Sequence, residues 1–137
     1  MRFASASVLR WGVLIGGLII IADLATQAIV QRTTSPDDIN AVFVVDQIVN
    51  WILFSSLGII VVRETGLFYL GAIAGVFASL LDSIVVATAG IMAPPAGGQV
   101  SVEDVFANNL VIGIVFAGCS GVVYMVVQRW SSGRRTR

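Results

Sequence analysis

Histidine is absent from this 137-residue chain, cysteine occurs once, and only 12% of the residues are charged. Without histidine, and with Cys119 alone, there are no ligands for a zinc or haem centre and no Ser–His or Cys–His nucleophile. An intrachain disulfide is excluded for the same reason, and Cys119 reads as a small packing residue. The serines at 55, 56, 79 and 120 have no base to activate them and read as packing or back-bonding residues of helices. No enzyme, cofactor or metal chemistry is expected. Nucleic-acid binding has no support beyond the four arginines of the C-terminal stretch "QRWSSGRRTR".

What is abundant is apolar. Hydrophobic residues make up 57% of the chain and the mean hydropathy is +0.94, whereas a soluble domain carries about twice this share of charge. The apolar residues fall into four runs, Trp11–Val30, Ile39–Val62, Leu67–Met92 and Val105–Val127. Each is long enough to cross a hydrocarbon core of about 30 Å. The expected fold is an all-α bundle of four membrane-spanning helices forming one domain over 1–137, with the lipid bilayer as its first partner.

The zero net charge hides a lopsided distribution. Arg2 and Arg10 precede the first span, Arg63 lies between the second and third, and Arg129, Arg134, Arg135 and Arg137 follow the fourth. The other two connections hold only Arg32, beside Asp37, Asp38, Glu103 and Asp104. The positive-inside rule then places both termini in the cytoplasm, in a plasma (inner) membrane. Trp11, Tyr69, Tyr124 and Trp130 sit at the same face, as interfacial aromatics do. Arg2 and Arg10 followed by "WGVLIGGLIIIA" also resemble a secretory signal, but the apolar run resumes after Asp23, and the segment is expected to stay as the first span.

Two connections share a helix-start pattern. Ser35 in "SPDD" and Ser101 in "SVED" are expected N-caps, followed by acidic first turns that complement the positive helix end. "RETG" is a short reversal ending on Gly66. "APPAGGQV" is an irregular connector: no strand precedes Gly97 and Gly98 and no lysine follows them, so it does not cradle phosphate. The second and fourth spans can be superposed with Val42–Phe43 on Val105–Phe106, Asp46 on Asn109 and Gly58 on Gly121. At a slightly different offset, Gly16 and Asp23 fall on Gly75 and Asp82. Two tandem two-helix hairpins, parallel repeats about an axis along the membrane normal, are the reading this suggests.

Inside the apolar runs lies a polar layer. At 1.5 Å per residue, Asp23 is about 10–12 Å from the outer end of its span, Asp82 about 15 Å, and Asp46 about 10 Å below the start of its own. Asn50 is one turn deeper than Asp46, and Asn108 and Asn109 lie one turn inside the fourth span. Asp46 shares a helix face with Asn50, Asp23 with Thr26 and Gln27, and Ser79 with Asp82. No basic residue lies within the hydrocarbon, so each aspartate either keeps its proton and bonds to Asn, Ser or Thr, or is compensated by an external cation or water. Asp82 is expected to be protonated at neutral pH. Gly71, Gly75 and Ser79 form a stripe of small residues leading to Asp82, and Gly113, Ala117 and Gly121 form a second one. In lipid such stripes allow close helix approach.

Two functions follow as expectations. One is a structural or accessory membrane subunit, in a homo-oligomer or a larger complex, whose polar layer organises helix contacts. The alternative is an oligomeric proton- or cation-coupled transporter or channel working through the aspartates. The chain lacks the leading glutamate-bearing helix of small multidrug resistance proteins and the cysteine pairs of vitamin K epoxide reductase-like bundles.

Overall fold

The structure, a computed structural model, describes residues 2–92 and 102–134, with side chains over 5–89 and 106–131. It is all helical: α1 (Arg2–Val30), α2 (Pro36–Thr65), α3 (Phe68–Met92) and α4 (Val102–Arg134). All four helices are long and apolar enough to span a membrane. They overrun the apolar runs, most visibly at the start of α1 and the end of α4, because helical hydrogen bonding does not stop where the side chains become polar. Ser101, the connector Ala93–Val100, Arg135 and Arg137 lie outside the described residues, and the side chains of Glu103 and Asp104 are not described.

The helix ends are mostly as expected. Pro36 opens α2, where its missing N–H costs nothing, and Asp37 and Asp38 occupy the first turn. Ser35 stands at the N-cap in an extended conformation, but its hydroxyl makes no cap bond. Its backbone carbonyl accepts from Ile39 N at 3.1 Å instead. Gly66 ends α2 in the left-handed region at φ 70°, its N–H donating to Val62 O at 2.8 Å. A β-carbon is disfavoured there, and glycine lets the chain turn directly into α3.

Neighbours in sequence run antiparallel: Ser7 Oγ of α1 reaches Glu64 Oε2 of α2 at 2.5 Å, while Asn109 of α4 reaches Asp82 of α3. The packing is α1 on α2 and α3, and α4 on α2 and α3, with α2 and α3 touching across the middle. Among the described residues α1 and α4 make no contact. The apolar core comprises Ile15, Ile19, Phe54, Leu57, Val61, Ala74 and Ala78. It fills the part of the bundle between the polar layer and the end carrying the N-terminus and Gly66. The outer surface is largely apolar, with Ile21, Val45, Ile52, Ile84 and Val123 exposed. That suits lipid as the surrounding solvent.

Small residues set the helix spacing. A β-carbon on Gly75 would lie 2.8 Å from Ala117 Cβ and closer still to the Gly113 carbonyl oxygen. One on Gly113 would lie 2.7 Å from Gly75 O and 2.9 Å from Ser79 Oγ. Gly71 faces Ala117 O, and Gly121 faces Val62. The two expected stripes therefore meet along the α3–α4 seam. Gly58 of α2 also belongs to it, abutting the Ala117 carbonyl. On α1, Gly16 lies against the Ala78 backbone and Gly12 against Phe77. Van der Waals contact between such close backbones is the main attraction available in hydrocarbon.

Candidate functional site, a buried carboxyl layer

Asp82 is 1% exposed, the most deeply buried ionisable group among the described residues. Close packing of α3 at Gly75 and Ser79 brings α4 near enough for Asn109 Nδ2 to donate to Asp82 Oδ2 at 2.6 Å. The other hairpin repeats this bond: Asn50 Nδ2 of α2 donates to Asp23 Oδ1 of α1 at 2.8 Å. One turn nearer the α1–α2 connection, Thr26 Oγ1 donates to Asp46 Oδ1 at 2.7 Å, again joining α1 to α2. Asp23, half-buried, lies near the Asp82 and Asp46 carboxyl groups.

Five of the six expected layer residues make these interhelical bonds: Asn109 with Asp82, Asn50 with Asp23, and Asp46 with Thr26. Asn108 does not. It is exposed, on the flank of α4 turned away from the layer, because adjacent helical positions point about 100° apart. Depth along the span placed both asparagines in the layer, and depth says nothing of the face each occupies.

Three buried oxygen atoms in and beside the layer lack a protein donor or acceptor, namely Asp82 Oδ1, Asn50 Oδ1 and Ser83 Oγ. Ser83 itself is 1% exposed. It was not among the expected site residues, and sequence adjacency to Asp82 was no signal, because adjacent helical positions point about 100° apart. A buried polar atom without a partner costs about 1–3 kcal/mol. No group of three His, Cys, Asp or Glu suited to a metal ion occurs among the described residues. The groups present are carboxyl, amide and hydroxyl, which suit hydrogen bonding.

A second polar link was not anticipated. Ser120 Oγ of α4 donates to Ser55 O of α2 at 2.9 Å, next to the Gly58–Ala117 approach. Trp51 and Phe116 stack on the same pair of helices with ring centroids 5.1 Å apart. Nearer the N-terminal end, Arg10 lies over the Trp11 ring, 5.2 Å from its centroid. Comparison of the chain with protein-family models, with curated proteins and with solved structures finds no match.

Proposed function

We propose that this chain is a small structural or accessory membrane protein whose buried Asp/Asn layer fixes the register of its helices. The observation that carries this reading is the duplicated bond: Asn50 to Asp23 and Asn109 to Asp82, each spanning 27 residues of sequence. Both partners recur at the same 59-residue spacing, as do Gly12 with Gly71 and Gly16 with Gly75. This supports two tandem hairpins in one register, with Asn50 rather than Asp46 as the counterpart of Asn109. A carboxyl–amide bond between helices in hydrocarbon is worth about 0.6–2 kcal/mol, enough to choose one register over another. The arginine distribution supports cytoplasmic termini in a plasma membrane, and the apolar outer faces leave room for a homo-oligomer or a larger complex. The test is assembly. Asp82→Asn should keep the size and thermal stability of the detergent-solubilised protein close to wild type, since an amide can still pair with Asn109.

A second reading, a proton- or cation-coupled transporter or channel, is favoured by the deep burial of Asp82, whose Oδ1 has no protein partner. It requires ion flux in proteoliposomes carrying a pH-sensitive dye, and that flux must vanish in Asp82→Asn while assembly persists. Absence of flux in the wild type leaves the structural role as the account of the layer.

A further inference from the structure

Away from the carboxyl layer, α2 and α4 leave a furrow along their outer seam. Its apolar part, about 480 Å³, is lined by Ile59 of α2 and by Val115, Phe116, Cys119, Val123 and Val127 of α4. The serines in it are already bonded, Ser120 Oγ donating to Ser55 O at 2.9 Å, so the floor presents carbon to an occupant. Phe116, stacked on Trp51, marks its deep end. From Val115 to Val127 the groove runs about 18 Å at 1.5 Å per residue. That is slightly more than one leaflet of a hydrocarbon core about 30 Å thick.

At Tyr124 the chemistry changes. This residue borders both the groove and a second pocket of about 560 Å³, lined by Arg63 and Gly66 at the end of α2 and by Gln128, Arg129 and Ser131 of α4. Gln128 Nε2 donates to Tyr124 Oη at 2.8 Å, which holds the ring at the junction. The charged residues lining this pocket are both arginines, and Glu64, next to Arg63, accepts from Ser7 of α1. Two arginines beside amide and hydroxyl donors suit a phosphate group.

We propose that the furrow binds one anionic phospholipid, with its phosphate in the Arg63/Arg129 pocket and one acyl chain along the α2–α4 groove. The apolar groove by itself discriminates little among lipid tails. The arginines at its end select a negative headgroup, and the groove selects a phosphate that carries a chain. On the orientation proposed above, the lipid belongs to the cytoplasmic leaflet, where basic pockets between spans take anionic headgroups.

Native mass spectrometry of the detergent-solubilised full chain tests this, with dioctanoyl phosphatidylglycerol, dioctanoyl phosphatidylcholine and inorganic phosphate as probes. Phosphatidylglycerol should bind as a single adduct, more tightly than phosphatidylcholine, whose headgroup has no net charge. Arg63→Gln and Arg129→Gln should each weaken that adduct about fivefold. Arg32→Gln, at the opposite end of the bundle, should not. Cys119→Trp fills the groove from an exposed position and should abolish lipid binding. Val123→Trp, at a residue 61% exposed, is the alternative if that variant does not fold. Equal retention of the two lipids overturns the proposal, as does unchanged retention in both arginine variants. Inorganic phosphate bound as tightly as the lipid, or lipid binding that survives the tryptophan, reveals an anion site without a chain groove and overturns it too. Should neither tryptophan variant fold, the arginine variants and the phosphate arm still decide, because Arg63 and Arg129 are exposed at the helix ends.

Discussion

Replacing Gly75 by alanine adds a single methyl group at the tightest part of the α3–α4 seam. That carbon would lie 2.8 Å from Ala117 Cβ and 2.9 Å from the Gly113 carbonyl carbon, well inside the roughly 3.5–4.0 Å at which packed carbons attract. Both obstacles belong to backbone or to a rigid alanine, so no rotamer change relieves them. The helices must separate or shift. Overpacking of this kind costs about 1–3 kcal/mol, and leucine should cost more. The strain should reach Asp82, which lies seven residues, about 10 Å, farther along the same seam. Gly17 is the control, because a β-carbon there meets nothing within 4 Å. Thermal unfolding in one detergent, read by loss of the native size-exclusion peak, should show Gly75→Ala clearly destabilised and Gly17→Ala close to wild type. Equal effects at the two positions would refute the close-approach argument.

Other expectations can be checked with similar material. A cysteine introduced at Gln99 should react with an impermeant thiol reagent on intact cells and one at Ser132 should not, as cytoplasmic termini require; the reverse pattern would overturn the orientation. Ile84→Leu changes a residue that is 55% exposed on α3, and should leave stability within about 0.5 kcal/mol of wild type. Asp82→Leu should destabilise where Asp82→Asn does not, because it strands the Asn109 amide, at about 1–3 kcal/mol for a buried group. Matching stabilities for the leucine and asparagine variants would show that no partner depends on Asp82.

The number, order and approximate limits of the helices were legible because apolar runs of membrane-spanning length have few alternatives in water or lipid. Gly66 was legible for a local reason, since a reversal of so few residues favours a left-handed glycine. The α3 and α4 stripes were legible because small residues (glycine, alanine, serine) four apart lie on one face. Pairing was not. Asp46 and Asn50 share a face, yet Asp46 takes its donor from Thr26 and Asn50 gives its own to Asp23. Which partner each finds depends on the stagger of α1 against α2, and a sequence states no stagger. Gly58 was noticed only as a repeat match, since its role depends on where Ala117 of another helix comes to lie. The uncapped Ser35 hydroxyl is a smaller case of the same kind, a side chain with a local option that the fold leaves unused.

The most direct test of the account is a double-mutant cycle on Asp82 and Asn109, the 2.6 Å bond that joins α3 to α4. Wild type, Asp82→Ala, Asn109→Ala and the double variant would be compared by reversible unfolding in bicelles. If this bond organises the bundle, the coupling energy should be favourable and about 0.6–2 kcal/mol, the span of interhelical hydrogen bonds in membranes. The pair Asp82 and Asn108 should give a coupling near zero, since Asn108 faces away from the layer. Zero coupling for Asp82 with Asn109, or an equal value with Asn108, would contradict the account.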